Sequence, residues 1–298
     1  MQKITFHNNN NDLECSFATD NRTQFLAAFD GNSLGADFTT FKPVAFDGTR
    51  TLAHTLGART IPFTAQWCGL SITDGTFAGS YHGRYDRNAA LEEWEKLQWT
   101  FNPGDKGVLT WTNGKQTRTI NCYATETPSL KEITRGMFAA DFKLTADYPL
   151  WRGDTLHSAT FSGTEYKAEA VIVTNNCPIF VPPLIVIDGV SRESGQTASI
   201  MRSNRAGKSY ETKSIGINTS VCSEKMGKIY IDCADMLCYQ YAPTGSKYNR
   251  NNALSPYSEF FSLYPGDNTI VLTMNTANDQ TPITIEFEWY DHYLGVTR

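Results

Sequence analysis

The sequence is short of the features that most often announce chemistry. Its 298 residues hold no phosphate-binding Gly-rich loop, no Gly-x-Gly-x-x-Gly, no His-Glu-x-x-His and no EF-hand loop. Nucleotide, dinucleotide, zinc-protease and calcium-sensor readings therefore have no local motif to rest on, and no cofactor is implied. The histidines (His7, His54, His82, His157 and His292) are scattered. The seven cysteines form no Cys-x-x-Cys pair; Cys233 and Cys238 lie five apart, with no histidine following at ligand spacing. Free, mostly buried thiols are the expectation. Positive charge is also lacking: the net charge of -5 argues against an extended duplex-binding surface. The longest apolar run, Ile179 to Ile187, is broken by Pro182 and Pro183 and is too short to span a bilayer. Behind Met1-Gln-Lys-Ile-Thr-Phe comes an asparagine tract, Asn8 to Asn11, in place of the apolar core of a secretion signal. The expectation is synthesis in a cytoplasm without Sec-dependent export.

What is present points to strands. Hydrophobic residues make up 40% and charged residues 19%, the balance of a folded globular chain. Aromatic residues are 12%, and threonine is abundant, which favours a mainly β protein. A chain of this length exceeds what one core usually holds, so two domains are expected. In the first, Ile61, Phe63, Ala65 and Trp67 alternate along Arg59 to Trp67, and Pro62 suggests an edge position. One helix is expected over Arg87 to Thr100. Leu91, Trp94 and Leu97 share a face, Asp86 is placed to cap the start, and Pro103-Gly104 stops the end. Gly107 to Trp111 and Gln116 to Ala124 flank Asn113-Gly114, a hairpin signal, and alternation resumes from Met137. Residues 1–152 read as a β-rich domain with one helix. Residues 153–165, small and polar, read as a linker. Residues 166–298 read as a β-sandwich, with strands near Ala168–Thr174, Pro183–Asp188, Tyr210–Ile217, Lys228–Asp232, Phe260–Leu263, Thr269–Asn275 and Pro282–Tyr290.

Candidate sites are few. His82-Gly-Arg-Tyr-Asp86 gathers a base, a cation and a carboxylate, but it reads better as a polar loop before a capped helix. Glu92, Glu93 and Glu95 could mimic a glycosidase pair; on a helix that buries Trp94 and Leu97 they face water. Arg152-Gly-Asp154 spells an adhesive tripeptide that is common by chance. Tyr239, Tyr241, Tyr248 and Tyr257 sit in a stretch with Lys247, Arg250 and several asparagines, a candidate loop for a sugar or a protein partner.

The order of these segments resembles the distal tail protein family of long-tailed bacteriophages. In the first half the resemblance rests on the Asp47-Gly48 turn, Arg59-Thr-Ile-Pro-Phe, the helix ending at Leu97 and Phe101-Asn-Pro-Gly. It continues with the Gly107 to Cys122 hairpin and Phe142-Lys-Leu-Thr-Ala-Asp-Tyr-Pro-Leu-Trp. In the second half it rests on Asn175-Asn-Cys-Pro, Pro183-Leu-Ile-Val-Ile-Asp-Gly, Ile229-Tyr-Ile-Asp and Phe260-Phe-Ser-Leu-Tyr-Pro-Gly-Asp-Asn. It implies a non-enzymatic virion protein of the tail tip, assembled in the host cytoplasm. The first domain would close into a homohexameric hub ring, and the second would be a galectin-like β-sandwich outside it. One ring face would meet the tail tube protein and the other a tail-associated hub or fibre protein, with DNA passing through the lumen without sequence-specific contact. Stretches 1–17 and 59–67, read as edge strands, make Ile4, Phe6, Ile61 and Phe63 the candidate ring interface. Some relatives carry a long arm in the second domain; residues 239–258 are too short for one. The alternatives are a carbohydrate-binding β-sandwich adhesin using the tyrosine-rich stretch, and a hydrolase using the His82 to Glu95 region.

Overall fold

Alternation of buried and open side chains builds most of the strands, and the first strands show why. In β1 (Lys3–Asn8) Ile4, Phe6 and Asn8 point inward; in β2 (Glu14–Ala18) Cys15 and Phe17 do. The structure, a computed structural model, describes residues 1–21, 23–41, 50–69, 86–163, 168–189, 197–206, 209–218, 221–222, 227–275 and 283–296. The chain divides into two compact units: Met1–Asp154 together with Tyr293–Arg298, and Thr155–His292.

In the first unit β3 (Gln24–Phe29), β4 (Ala36–Phe41), β5 (Arg50–Leu56) and β6 (Arg59–Cys68) precede the helix α1 (Arg87–Thr100). After it come β7 (Lys106–Thr112), β8 (Thr117–Ala124), β9 (Ser129–Thr134), β10 (Met137–Ala146) and the start of β11 (Trp151–Gly163). The strands follow in the order β8-β7-β1-β2-β3-β6-β10, and β10 pairs back onto β8, so seven strands close a barrel. Closure rests on Leu144↔Ala124 and Thr145↔Tyr123. The β2–β3 step is thin, a single parallel rung at Ala18↔Phe25.

Aromatic side chains fill this barrel. Phe63 and Phe142 stack at 4.6 Å, Phe101 meets Phe142 at 4.6 Å, and Phe6 stacks on Phe101 at 4.8 Å. The helix adds Ala90, Trp94 and Leu97 to the same core. Trp94 stacks on Trp67 at 5.6 Å, and the Trp67 indole donates to the Ala90 carbonyl. The Asp86 carboxylate accepts from the Asn88 and Ala89 amides, and the Phe101 amide closes the far end on the Leu97 carbonyl. A side chain at Gly69 would collide with the Asp86 carbonyl, so only glycine lets β6 lead so close to the helix start. The β7–β8 turn has Gly114 at φ 83, with the Asn113 side chain accepting from the Lys115 and Gln116 amides.

The sequence-derived edge assignment does not hold. β1 is paired by β2 and β7, and β6 by β3 and β10. Pro62 is tolerated for a specific reason. Its carbonyl accepts from the Asp30 amide beyond the last β3 rung, Phe29↔Phe63. Its missing N–H therefore faces the side where the β3 ladder has already ended.

The last residues of the chain are fastened into the first unit by two buried arginines. Arg59 donates to the Gly31 carbonyl at 2.5 Å and to the Leu294 carbonyl. Arg118 donates to the Gly295 carbonyl and lies 3.9 Å from the centre of the Tyr293 ring. Trp151 shares the Gly31 carbonyl, the Val296 amide donates to Asn32, and Val296 joins the core. Burial lowers the pKa of both guanidinium groups, and nearby Asp30 opposes this for Arg59.

In the second unit, two sheets share one core. One runs β18 (Lys247–Asn249), β17 (Leu237–Tyr241), β16 (Ile229–Asp232), β13 (Leu184–Asp188), β20 (Ile283–Tyr293), β11. The other runs β12 (Ala168–Asn175), β19 (Gly266–Asn275), β14 (Thr197–Ala206), β15 (Ser209–Asn218). Ile185, Ile187, Ile231, Ile285 and Phe287 from the first meet Val173, Ile200, Ile215, Ile270 and Leu272 from the second, the layout of a sandwich. Two buried asparagines knit the loops. Asn175 donates to the Ile179 and Leu263 carbonyls and accepts from the Cys177 amide. Asn268 donates to the Val173, Tyr264 and Gly266 carbonyls and accepts from the Tyr264 amide.

Several sequence-derived assignments differ. The stretch 153–165 expected as a linker lies, up to Gly163, in β11, whose Arg152 and Gly153 pair with Thr119 and Arg118 of β8; small polar residues served as strand. Phe260–Leu263 is no strand but supplies one bridge, Leu263↔Val181. The strands β5, β9, β14, β17 and β18 lie in stretches whose sequence marks no strand. The Asp47-Gly48 turn lies outside the described residues.

Replacing Arg59 with leucine should cost about 1–3 kcal/mol in chemical denaturation, because the Leu294 carbonyl loses this donor and the Gly31 carbonyl keeps only Trp151. Lysine should not restore the loss, since one ammonium cannot fork to both carbonyls. All seven cysteines are free, and Cys68 alone among them is not fully buried. Burial pushes the Cys122, Cys233 and Cys238 thiols up to about 12. A thiol reagent at neutral pH should label Cys68 first, and the others only on denaturation; mapping the modified peptides by mass spectrometry checks this.

Candidate functional site

Two kinds of surface come forward: strands with unpaired edges in the first unit, and an aromatic face in the second. In the first unit, barrel closure leaves few edges. The four residues expected at a ring interface are not on them. Ile4, Phe6, Ile61 and Phe63 are at most 3% exposed and lie in the barrel core, so their side chains cannot meet a neighbouring copy. Among the described residues, the strand edges left without a partner strand are those of β9 and the β4–β5 hairpin. All six β9 residues are exposed, and β9 ends its sheet with β10 as its partner. β4 and β5 pair with each other as a separate two-stranded sheet.

The tyrosine-rich stretch divides. β17 directs Cys238 and Gln240 inward, both fully buried, and so turns Tyr239 and Tyr241 to the outer face. There Tyr239 stacks on Tyr230 of β16 at 5.3 Å and 6°. Tyr241 meets both edge-on at 5.3 and 5.5 Å. From β18, the Lys247 ammonium sits 3.6 Å from the centre of the Tyr239 ring. Burial raises the Tyr239 pKa, with Tyr241 and Asp232 adding to the effect. Tyr248 projects opposite Gln240. Tyr257, 88% exposed, lies near the β15 edge, where Ser255 and Glu259 bond to Gly216 and Ser214. So the structure joins Tyr239 and Tyr241, adds Tyr230, and leaves Tyr248 and Tyr257 outside the cluster. Tyr239, at 7% exposed, has Tyr230 on one flank and Lys247 on the other; neither ring face is open for a sugar.

The catalytic candidates do not assemble into a site. His82 to Tyr85 lie outside the described residues, and Asp86 is committed to the helix cap. Glu93 accepts from Gln24 at 2.9 Å and lies 3.6 Å from Lys96. Gly31-Asn32-Ser33-Leu34-Gly35 spells the nucleophile-elbow pattern. An elbow needs a turn from strand into helix; this one runs from β3 towards β4. Ser33 donates its hydroxyl to the Asp30 carboxylate at 2.5 Å, and that bond holds the Asp30 pKa below the usual range. A cleft of about 650 Å3 runs beside β3 and β6, lined by Gln2, Thr19, Ala28, Asp30, Thr64 and Asp141 among others. Both of its carboxylates are engaged, Asp141 by the Thr64 hydroxyl at 2.5 Å. Arg152-Gly-Asp154 lies in β11 rather than on a loop. Among the described residues no group of three or more His, Cys, Asp or Glu side chains converges on a metal position, and no helix is long and apolar enough to cross a membrane.

No family model and no curated protein matches the sequence. Solved structures do match, and over the full chain. One is the Dit protein of SPP1, described as a paradigm of the hub adsorption apparatus in phages infecting Gram-positive hosts. It has a TM-score of 0.58 at 17% identity, covering 97% of this chain and 99% of that one. A chain of the phage P2 baseplate in its calcium-activated conformation matches with TM-score 0.57 at 9% identity, over 99% and 100% of the two chains. The strontium form matches with 0.51 at 8%, over 97% and 98%. At such identities the likeness is one of fold.

Truncating Tyr239 to alanine should cost about 3–5 kcal/mol, since it removes a buried ring and its two stacking partners. Tyr257→Ala should stay within about 0.5 kcal/mol. Urea midpoints of the two variants against the parent chain check the contrast.

Proposed function

We propose that the protein is a structural hub component of a long-tailed bacteriophage tail. Copies of it close into a hexameric ring that joins the tail tube to the baseplate or tail-tip fibre and lets DNA pass through its lumen. The observation that carries the reading is the likeness to SPP1 Dit over 97% of this chain and 99% of that one. A shared core motif would match part of each chain; here both units match in order. The role is mechanical rather than catalytic, consistent with candidate catalytic groups that are capped, bonded or dispersed. The partners of this reading are other copies of the chain, the tail tube protein and a hub or fibre protein, within a virion tail assembled in the host cytoplasm.

Two physical features support self-assembly. A lone two-stranded hairpin is marginally stable in water, so β4–β5 gains from packing on another molecule. The exposed β9 edge offers unpaired backbone groups to a further strand. A ring needs a heterologous contact whose rotation closes, and these two different elements on one chain are suited to it. The net charge of -5 also suits a conduit that DNA must cross without sticking.

Light scattering of the purified chain, followed by negative-stain imaging, tests this. The expected species has a mass near six times the 33.3 kDa chain and a central hole. A monomer at every concentration, alone and with the tail tube protein added, would overturn the ring.

A further inference from the structure

We propose that the first unit carries a peptide-binding site at Arg59 and Arg118, made for an extended aromatic-x-Gly-Val segment and filled in this chain by Tyr293 to Val296. Its occupancy does not depend on ring formation. The barrel ladder is complete without that segment: seven strands pair in a closed round, and none of their pairings includes residues 294–296. The segment is instead gripped by side chains, as a bound peptide is. Arg59 and Arg118 donate to the Leu294 and Gly295 carbonyls, and the Asn32 side chain accepts from the Val296 amide at 2.9 Å. Contacts to backbone groups fix where the segment runs and leave the Leu294 side chain unread, 54% exposed.

Three positions of the segment are read. The Tyr293 ring packs against the Arg118 guanidinium, 3.9 Å from the ring centre. Gly295 supplies room: a side chain there would collide with the Asn32 side chain. Opposite it, a side chain on Gly31 would come within 2.7 Å of Val296 and 2.9 Å of the Phe29 ring. Neither glycine has a positive φ, so what each contributes is close approach rather than an unusual backbone turn. Val296, 4% exposed, enters the aromatic core. The receptor side is held ready by the rest of the unit. Arg59 is also tied to the Gly31 carbonyl, which Trp151 shares, and the Asp30 carboxylate orders the loop by accepting from the Asn32 and Ser33 amides. Such preorganisation lowers the cost of binding. The site is rich in donors, and the Arg59 Nε is buried with no partner even when the segment is in place. Without the segment, Arg59 and Arg118 each lose a carbonyl acceptor, and that deficit draws a matching peptide back.

The test uses the full chain, the same chain ended at His292, and the acetylated peptide Tyr-Leu-Gly-Val-Thr-Arg, the sequence of residues 293–298. Urea midpoints are followed by circular dichroism as peptide is added. The expected result is a shortened chain that unfolds at lower urea than the full chain and whose midpoint the peptide raises to saturation, while the full chain, its site filled, does not respond. A peptide carrying Gly295→Ala should need at least about tenfold more to reach the same midpoint. One carrying Leu294→Ala should match the parent peptide within about twofold. If the shortened chain is unfolded by itself, recovery of the β spectrum with the parent peptide, and not with the Gly295→Ala peptide, supports the site equally. Four results overturn it: a shortened chain as stable as the full chain, a peptide without effect on the shortened chain, an equal response from the full chain, or a Gly295→Ala peptide as effective as the parent. None of these outcomes bears on the ring.

Discussion

Two rungs decide what the first unit can offer to other molecules. Leu144↔Ala124 and Thr145↔Tyr123 join the last barrel strand to β8 and close the sheet on itself. A closed sheet has no edges. β1 and β6, rich in alternating apolar residues, are thereby committed on both sides, and their Phe and Ile side chains are spent on the core. The stacked Phe63–Phe142 pair lies across adjacent strands of the closed wall. The elements outside the closure, β9 and the β4–β5 hairpin, inherit whatever strand pairing the protein makes with others.

A second constraint is that the unit is completed from both ends of the chain. Arg59 and Arg118 are buried without a carboxylate at bonding distance among the contacts described, and satisfy themselves on the carbonyls of Gly31, Leu294 and Gly295. A buried cation is costly unless its donors are matched. Backbone carbonyls match the terminal guanidinium nitrogens here only if residues 294 and 295 return to the barrel, and the Arg59 Nε is buried with no partner of its own. Asp30 helps from a distance, while its carboxylate is occupied in capping the turn at Asn32 and Ser33. The arginines thus make the position of the C-terminal segment a condition of the fold.

Local signals were legible and tertiary ones were not. The helix bounds followed from the Asp86 cap and the spacing of Trp94 and Leu97, both properties of neighbouring residues. The β7–β8 hairpin followed from Asn113-Gly114, because the turn demands a positive φ that glycine supplies. By contrast, the edge reading of β6 took Pro62 as its guide, and whether a strand has a second neighbour is settled by residues far away in sequence. β14 was missed because Arg202 sits at an inward position beside Ile200, donating to the Ser262 carbonyl and lying 4.4 Å from the Tyr264 ring centre. A buried arginine breaks the apolar period that marks a strand. β17 and β18 read as loop because Tyr, Gln, Lys and Asn leave no apolar period, and because the stack that orders them needs Tyr230 from another strand.

Fold and function separate at this point. A likeness at 8–17% identity speaks for the architecture, and function must come from the surfaces the architecture exposes. The two candidate surfaces differ in whether their interactions are already made. On the sandwich, Lys247, Tyr239 and Tyr230 stack in sequence across three strands, and Tyr241 closes the cluster edge-on. A ligand would have to displace an interaction the molecule already holds. On the barrel, β9 has a row of backbone groups and two apolar side chains facing water. Covering them would displace solvent rather than a contact the molecule already makes. The aromatic face is thus satisfied within the molecule, whereas the outer edge of β9 meets no strand among the described residues.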